Sequence, residues 1–254
     1  MIDLAIPLFL LAAIFLLVAF FYASVGLGGG SSYTALLALA GASTAAIPLV
    51  SLTLNLVVTT IGSSIFLSRG HGRLRLIAPF LVSSIPMAYL GGGLHLPPTL
   101  FYLVLMLSLA FAALRIYFPG NTRPLALSDN GKILLALFCG ALLGLVAGIA
   151  GIGGGVYLVP LIILLGLGTA KEAAACGSFF IWVNSVAGLL PRLQHPDLDL
   201  ATLAPLAAAV LLGGMAGSLF GADRFEPRTM QKILGGILLV AILFLGRKIA
   251  VAMM

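Results

Sequence analysis

Two glycine-rich stretches are the parts of this sequence whose residue types and spacing could do chemistry. Residues 26–30 read Gly-Leu-Gly-Gly-Gly, and residues 151–155 read Gly-Ile-Gly-Gly-Gly. Each glycine costs a helix roughly 1 kcal/mol relative to alanine, so we expect the helix to break there. A break leaves backbone N–H groups bare, and the missing side chains let a ligand approach them closely. Each stretch is therefore either a packing notch or a binding site.

A short apolar segment follows each glycine stretch. Residues 31–40 and 156–165 would each be about 15 Å long as a helix, which is half the thickness of a bilayer. We expect two half-helices whose N-termini lie at the glycines, where unpaired N–H groups and a partial positive charge bind anions. Tyrosine and serine hydroxyls can add donors. The candidate substrate-binding residues here are Gly28, Gly29, Gly30, Ser31, Ser32, Tyr33, Gly153, Gly154, Gly155 and Tyr157.

Neutral polar residues lie within two of the longer apolar segments. Ser51, Asn55, Thr59 and Ser63 follow one another at i+4 spacing, so they form one stripe on a helix. Asn184 lies in a similar segment of the second half, with Ser185 beside it. Asparagine is costly within a membrane, so we add Asn55 and Asn184 to the candidate substrate-binding residues. Interhelical hydrogen bonding is the alternative role for these side chains.

Composition sets the class of protein. Of 254 residues, 61% are hydrophobic and 8% are charged, with a mean hydropathy of +1.22. Soluble domains have about 25% charged residues. The sequence therefore predicts an all-α polytopic membrane protein whose partner is the lipid bilayer. The net charge is +6, and the 13 Lys and Arg residues lie between the apolar segments. This distribution indicates membrane topology and not a nucleic-acid partner.

Catalytic, metal-binding and redox chemistry have no clear candidates. The two cysteines, Cys139 and Cys176, lie in apolar segments without CxxC spacing. Every acidic residue lies at a helix end or in a loop, so no carboxylate relay crosses the membrane. The glycine stretches also lack the lysine of a phosphate-binding P-loop. We therefore predict a protein that is not an enzyme and uses no metal and no cofactor.

The order of elements repeats. Gly28 and Gly153 are 125 residues apart, and Gly91 and Gly217 are 126 apart. The pattern predicts a first repeat at 1–118, a linker at 119–131 and a second repeat at 132–254, and internal repeats are typical of transporters. The eight expected membrane-spanning helices cover about 4–24, 46–67, 76–92, 99–118, 133–150, 173–190, 200–220 and 229–245.

The distribution of basic residues bears on topology. If each half-helix returns to the side it entered from, nine Lys and Arg lie on the side of the termini and four lie opposite. This count favours cytoplasmic termini and halves in parallel orientation. The two halves carry their charge in different loops, however, which an inverted repeat would produce. Both arrangements therefore stay open.

The glycine stretches and their flanks resemble a known family. Residues 148–160, Gly-Ile-Ala-Gly-Ile-Gly-Gly-Gly-Val-Tyr-Leu-Val-Pro, resemble the signature of the TauE/SafE sulfite exporter (TSUP) family. Residues 24–33 resemble its first-repeat copy, which lacks the proline that the second copy has at Pro160. The resemblance covers almost the whole chain. It implies a multi-pass transporter in the inner (plasma) membrane of a bacterium, with a small sulfur-containing anion such as sulfite, sulfoacetate or another sulfonate as substrate.

The direction of transport follows from energetics. With the cell interior negative, each negative charge that leaves gains about 2.3 kcal/mol per 100 mV. We therefore expect anion export by alternating access between the two repeats. An ion-coupled importer, or a channel for another small anion or a neutral metabolite, is the alternative. A homodimer is one assembly that the sequence allows.

Overall fold

The protein is helical throughout the part that the computed structural model describes, residues 6–24, 27–68, 73–117, 128–194, 200–224 and 227–252. The half-helices expected at 31–40 and 156–165 are confirmed, each beginning and ending one residue earlier. Gly26, Met1–Ala5 and most of the expected linker 119–131 lie outside the described residues. The helices are α1 Leu8–Ser24, α2 Gly30–Leu39, α3 Ala46–Ser68, α4 Leu74–Gly93, α5 Pro98–Tyr117, α6 Asp129–Ala150, α7 Gly155–Leu164, α8 Ala170–Leu189, α9 Leu200–Arg224 and α10 Pro227–Ala252, with a 3-10 turn at Leu190–Gln194.

The surface and the interior have the polarity of a membrane protein. Large apolar side chains face outward, with Leu134 71% and Phe138 62% exposed, while Ser51 and Asn55 are fully buried. Three shorter apolar helices also occur, at Leu8–Ser24, Pro98–Leu114 and Leu238–Arg247. Within the described residues, five helices are long and apolar enough to cross a bilayer, namely Ala46–Ile65, Arg75–Gly93, Asn130–Ala150, Lys171–Leu193 and Leu200–Leu219. The chain is a multi-pass membrane protein.

Glycines at every fourth position bring α6 against α4. A Cβ on Gly140 would lie 2.5 Å from the carbonyl oxygen of Phe80, and one on Gly144 would lie 2.6 Å from Ser84 Cα. Gly148 meets Ala88 in the same way, so the residue numbers rise together and the two helices run parallel. Small residues at this spacing let helix backbones touch, which is the main source of helix association in membranes.

Helices α1 and α9 pack in the same manner. Gly213 and Gly217 of α9 face the carbonyl oxygens of Leu16 and Phe20 of α1, and a Cβ on either glycine would overlap them. Residue numbers again rise together, so α1 and α9 run parallel. Each of these two tight pairs takes one helix from either half of the chain, so the two halves interlock.

The central helices α3 and α8 run antiparallel. Trp182 Nε1 of α8 donates to Thr60 Oγ1 of α3 at 3.0 Å. Leu52 precedes Thr60 in α3 and meets Gly188, which follows Trp182 in α8. In the predicted repeat these helices correspond to each other. Their opposite directions do not fit halves in parallel orientation, which the charge count favoured.

Candidate functional site

The two glycine breaks meet at one place on α3. Ser51 Oγ donates to the carbonyl oxygen of Gly151 at 2.8 Å and lies 3.2 Å from that of Gly30. One turn further on, Asn55 Nδ2 donates to the carbonyl oxygen of Ile152 at 3.4 Å. The polar stripe of α3 therefore joins a break from each half of the chain. The two breaks therefore lie next to each other, around Ser51 and Asn55.

The half-helices approach this site from opposite directions. Helix α2 begins beside Asn55 and runs back to the level at which α3 begins. Helix α7 begins beside Ile181 of α8, which a Cβ on Gly155 would overlap, and it runs back to the beginning of α8. Because α3 and α8 are antiparallel, α2 and α7 point opposite ways with their N-termini together. Asn55 lies near the middle of α3, so the two N-termini meet well inside the bundle.

No side chain caps either half-helix. The N-cap residues are Gly29, with φ +99°, and Gly154, with φ +80°, and neither helix has a side-chain cap. By contrast, Thr169 and Glu172 form a capping box at the beginning of α8. A helix leaves its first N–H groups without intrahelical partners, and a capping side chain usually occupies some of them. The third N–H groups, of Ser32 and Tyr157, bond back to the carbonyl oxygens of Gly29 and Gly154, so the first two N–H groups of α2 and α7 are the candidates for a ligand.

The glycines are also required for close packing. A Cβ on Gly28 would lie 2.8 Å from Asn55 Oδ1 and 3.1 Å from Ile181 Cγ2. Gly153 has φ +77°, a conformation that L side chains rarely adopt, and its Cβ would lie 2.7 Å from Ile181 Cγ2. The two interpretations of the glycine stretches are therefore compatible, because the tight crossing is what brings the two breaks to Asn55.

Buried polar atoms without partners lie beside the breaks. Asn55 Oδ1, Ser185 Oγ and the Tyr33 hydroxyl are fully buried and make no hydrogen bond. A Cβ on Gly153 would come within 3.4 Å of Ser185 Oγ, and one on Gly29 within 2.7 Å of the Tyr33 hydroxyl. An unsatisfied buried polar atom costs about 1–3 kcal/mol, so such groups need an explanation. A ligand with both acceptor and donor groups would satisfy them.

The hydroxyls that follow the first break turn toward α1. Ser31 Oγ and Ser32 Oγ lie 2.7 Å and 3.0 Å from the Tyr22 hydroxyl. The Tyr33 ring stacks on Phe15, with 4.9 Å between ring centroids. Tyr22 was not among the candidate residues. Its position in the last turn of α1, just before the break, is the signal that could have identified it.

Two candidate residues of the second half are already hydrogen-bonded, and a polar residue outside the candidates lies near the break. The Tyr157 hydroxyl donates to the carbonyl oxygen of Ser108 on α5 at 2.9 Å, so this hydroxyl is already engaged away from the break. Asn184 Nδ2 donates to the Phe180 carbonyl oxygen of its own helix at 2.9 Å, and its Oδ1 has no partner. Ser185, which was not a candidate, is a polar α8 side chain that lies near Gly153.

Charged and metal-ligating groups do not contact this site in the described residues. No cluster of three or more His, Cys, Asp or Glu side chains occurs among the described residues. The arrangement is a neutral, occluded site of backbone N–H groups, hydroxyls and one carboxamide. Such a site can hold an anion by dipoles alone and can release it again.

Comparisons with known proteins agree with this architecture. The sequence profile of the family described as "Sulfite exporter TauE/SafE" matches residues 11–245. The chain is 34% identical over 234 residues to the probable membrane transporter protein y4hK of Sinorhizobium fredii (strain NBRC 101917 / NGR234), covering 91% of this chain and 95% of that protein.

A second relative is more distant. The probable membrane transporter protein YjnA of Bacillus subtilis (strain 168) is 26% identical over 241 residues, which cover 85% of this chain and 91% of that protein. No solved structure matches the chain. The profile match spans both glycine breaks and the helices that hold them together. The chain belongs to the TauE/SafE family of membrane transporters.

Proposed function

We propose that this transporter exports a small sulfur-containing anion, such as sulfite, sulfoacetate or another sulfonate, by alternating access. The observation that carries the proposal is the meeting of the α2 and α7 N-termini at Asn55. Two uncapped helix N-termini that point at one place add their partial positive charges, and discontinuous helices hold anionic groups in this way in other transporters. The substrate class comes from the family description of a sulfite exporter.

The proposed site consists of the backbone N–H groups that follow Gly29 and Gly154, together with the side chains that line them. The Ser185 hydroxyl and, once its carboxamide turns, the Asn55 Nδ2 amide can donate hydrogen bonds to a bound oxyanion. Tyr33 offers a hydroxyl beside the first break. Because no formal cation holds the anion, the site binds it weakly enough for rapid release. The other expected contacts, at Ser31, Ser32, Tyr157 and Asn184, would require side-chain rotation.

The proposed framework is two inverted repeats, at 1–118 and 132–254, with eight spans and two half-helices. Three observations support it. The paired central helices α3 and α8 run antiparallel. The tight pairs α1–α9 and α4–α6 are exchanged by the same two-fold relation. The half-helices α2 and α7 approach the site from opposite sides. In this framework the chain direction alternates from α1 to α10.

An inverted framework changes the expected orientation in the membrane. By position along the chain, three of the 13 Lys and Arg, namely Arg192, Arg247 and Lys248, share the face of the termini. Short loops with excess Lys and Arg stay in the cytoplasm, so the opposite face is cytoplasmic and both termini lie outside. By their order in the sequence, the other ten belong to the cytoplasmic face in this proposal, and two of them, Arg69 and Arg123, lie outside the described residues. They are Arg69, Arg73, Arg75, Arg115, Arg123, Lys132, Lys171, Arg224, Arg228 and Lys232.

This orientation suits an exporter of anions, because the basic face raises the local anion concentration on the cytoplasmic side. Alkaline phosphatase fused after Met254 reports the orientation. We expect the fusion to be active, since the enzyme folds only outside the cytoplasm. A fluorescent C-terminal green fluorescent protein fusion with inactive phosphatase would contradict the orientation.

Flux in proteoliposomes tests the export. A potassium gradient with valinomycin sets the potential, and efflux of radiolabelled sulfite or sulfoacetate is followed over time. We expect an inside-negative potential to accelerate efflux of the anion and an inside-positive potential to slow it. Flux that ignores the potential, or that requires an opposing proton gradient, would instead favour the ion-coupled alternative.

A further inference from the structure

A second polar feature lies outside the glycine site. A cleft of about 100 Å³ opens where α3 begins, between the end of α6, the α4–α5 connection and the 3-10 turn that follows α8. It could hold a small oxyanion, since one water molecule occupies about 30 Å³ of liquid. The polar side chains on its walls are those of Thr44, His95 and Arg192, and none of its lining residues is acidic.

Arg192 is the charged group of this cleft. Its Nη2 donates to the carbonyl oxygens of Gly148 and Ile149, at 2.7 Å and 3.3 Å, and so ties the 3-10 turn to the last turn of α6. Its Nε is buried and has no hydrogen-bond partner. A guanidinium carries five N–H donors, and those two carbonyls engage only one nitrogen. The positive charge of the guanidinium therefore lies on the wall of the cleft, where no acidic side chain among the lining residues offsets it.

The cleft lies on the line that leads to the glycine site. Pro48 lines the cleft, and Ser51 and Asn55 lie one and two turns further along α3. Asn55 is about 10 Å from Pro48 along the helix axis. Gly151, the first residue of the second break, packs directly on Pro48, since a Cβ there would lie 2.5 Å from Pro48 Cα. One helical turn of protein therefore separates the cleft from the occluded site.

We infer that the Arg192 cleft is a second anion-binding site, which holds a small oxyanion on its passage between the glycine site and water. The inference rests on the proposed transport of an anion. Arg192 supplies the charge, and the N-terminus of α3 adds its partial positive charge. The glycine site binds by dipoles, whereas this outer site binds by a formal cation and is sensitive to salt.

Cysteine labelling measures the charge of the cleft without any transport. Ala45 is exposed and lines the cleft, so Ala45→Cys is introduced after Cys139→Ala and Cys176→Ala. The reagents are the negatively charged sulfonatoethyl and the positively charged trimethylammonium-ethyl methanethiosulfonates. The ratio of their labelling rates at the cysteine is divided by the same ratio for a free thiol in solution. We expect the negative reagent to be favoured about threefold to tenfold, as a nearby buried cation predicts.

Substitutions assign that preference to Arg192. Arg192→Gln should abolish it and Arg192→Lys should keep most of it, while Arg75→Gln, which removes the same charge at an exposed position elsewhere, should leave it unchanged. If Arg192→Gln does not fold, ionic strength gives the same answer, because raising salt from 10 to 500 mM should bring the ratio toward one. A ratio that neither Arg192→Gln nor salt alters would overturn the inference.

Two further experiments address separately the source of the oxyanion and the link between the cleft and transport. In detergent, sulfate should slow the labelling of Ala45→Cys, whereas protection by phosphatidylglycerol and not by sulfate would assign the cleft to a lipid headgroup and overturn the inference. In proteoliposomes, Arg192→Gln should raise KM at least threefold for anion supplied on the face of the termini, with a maximal flux within twofold of wild type. Wild-type protein that labels as expected but moves no anion would refute the proposed function and leave the cleft's anion site standing.

Discussion

Asn55 of α3 donates a hydrogen bond to the carbonyl oxygen of Ile152, 97 residues later, while its own Oδ1 has no partner. The bond is long, at 3.4 Å, and it joins a helix of the first half to the glycine break of the second. A carboxamide held by one weak bond can turn toward a ligand at little cost. Asn55 is therefore the side chain on which the function of the site can be tested most directly.

The effect of replacing Asn55 distinguishes an anionic substrate from a neutral or cationic one. We expect Asn55→Asp to lower the initial rate of anion flux at least tenfold, because a carboxylate at the meeting point of the two breaks repels an anion. Asn55→Leu, of similar size, should lower affinity by a similar factor through the loss of both polar groups. The measurement is substrate affinity in detergent together with flux in proteoliposomes. Unaltered affinity in Asn55→Asp would argue for a neutral or cationic substrate.

Ser185 and Ser84 form a matched pair, since both are fully buried and neither Oγ has a hydrogen-bond partner. Ser185 lies beside Gly153, whereas Ser84 lies at the contact between α4 and α6. Replacing either with alanine removes no hydrogen bond, so we expect each unfolding free energy to change by less than about 1 kcal/mol. Only Ser185→Ala should weaken substrate binding. Equal binding by both variants would exclude Ser185 from the site.

Gly155 is needed for its contact with Ile181, whereas Gly154 is needed for its positive φ. Double-mutant cycles can distinguish these two reasons. Gly155→Ala drives its Cβ into the Ile181 side chain, so we expect a loss of about 1–3 kcal/mol in stability. Ile181→Ala makes space, and the double variant should be more stable than the sum of the two changes predicts. Gly154→Ala, strained by a φ of +80°, should gain no such relief from Ile181→Ala. Thermal unfolding in detergent gives all six stabilities.

The ion pair between Arg73 and Glu172 tests alternating access. These side chains, 3.3 Å apart, join the beginnings of α4 and α8 on the face opposite the Arg192 cleft. In a background without Cys139 and Cys176, cysteines at both positions can be bridged by a short bis-methanethiosulfonate. We expect bridging to lower flux more than tenfold, since that face must open, and reductant to restore it. Full flux in the bridged protein would contradict alternating access at this face.

The local features were predictable from the sequence, and the long-range ones were not. Runs of glycine and ten-residue apolar segments determine the ends of α2 and α7 locally, so both half-helices were placed to within one residue. The meeting of Asn55 with Ile152 depends on how α3 crosses α8, which no short motif encodes. The engagement of Tyr157 by Ser108 likewise depends on the neighbouring α5. The sequence left the relative direction of the halves open, because the charge count depended on an assumption about the half-helices.

The glycine contacts between the halves have a consequence for the history of the gene. Gly140, Gly144, Gly148, Gly213 and Gly217 all belong to the C-terminal half, and the carbonyls they face all belong to the N-terminal half. The residues 125 positions before the first three are Phe15, Ala19 and Ala23, which have side chains where the later copy has none. Gly91 and Gly92 of the N-terminal half in turn face the carbonyl oxygens of Leu145 and Gly188, so both halves supply glycines to the contact. The halves have become complementary parts, so a gene split between α5 and α6 would encode two subunits that need each other.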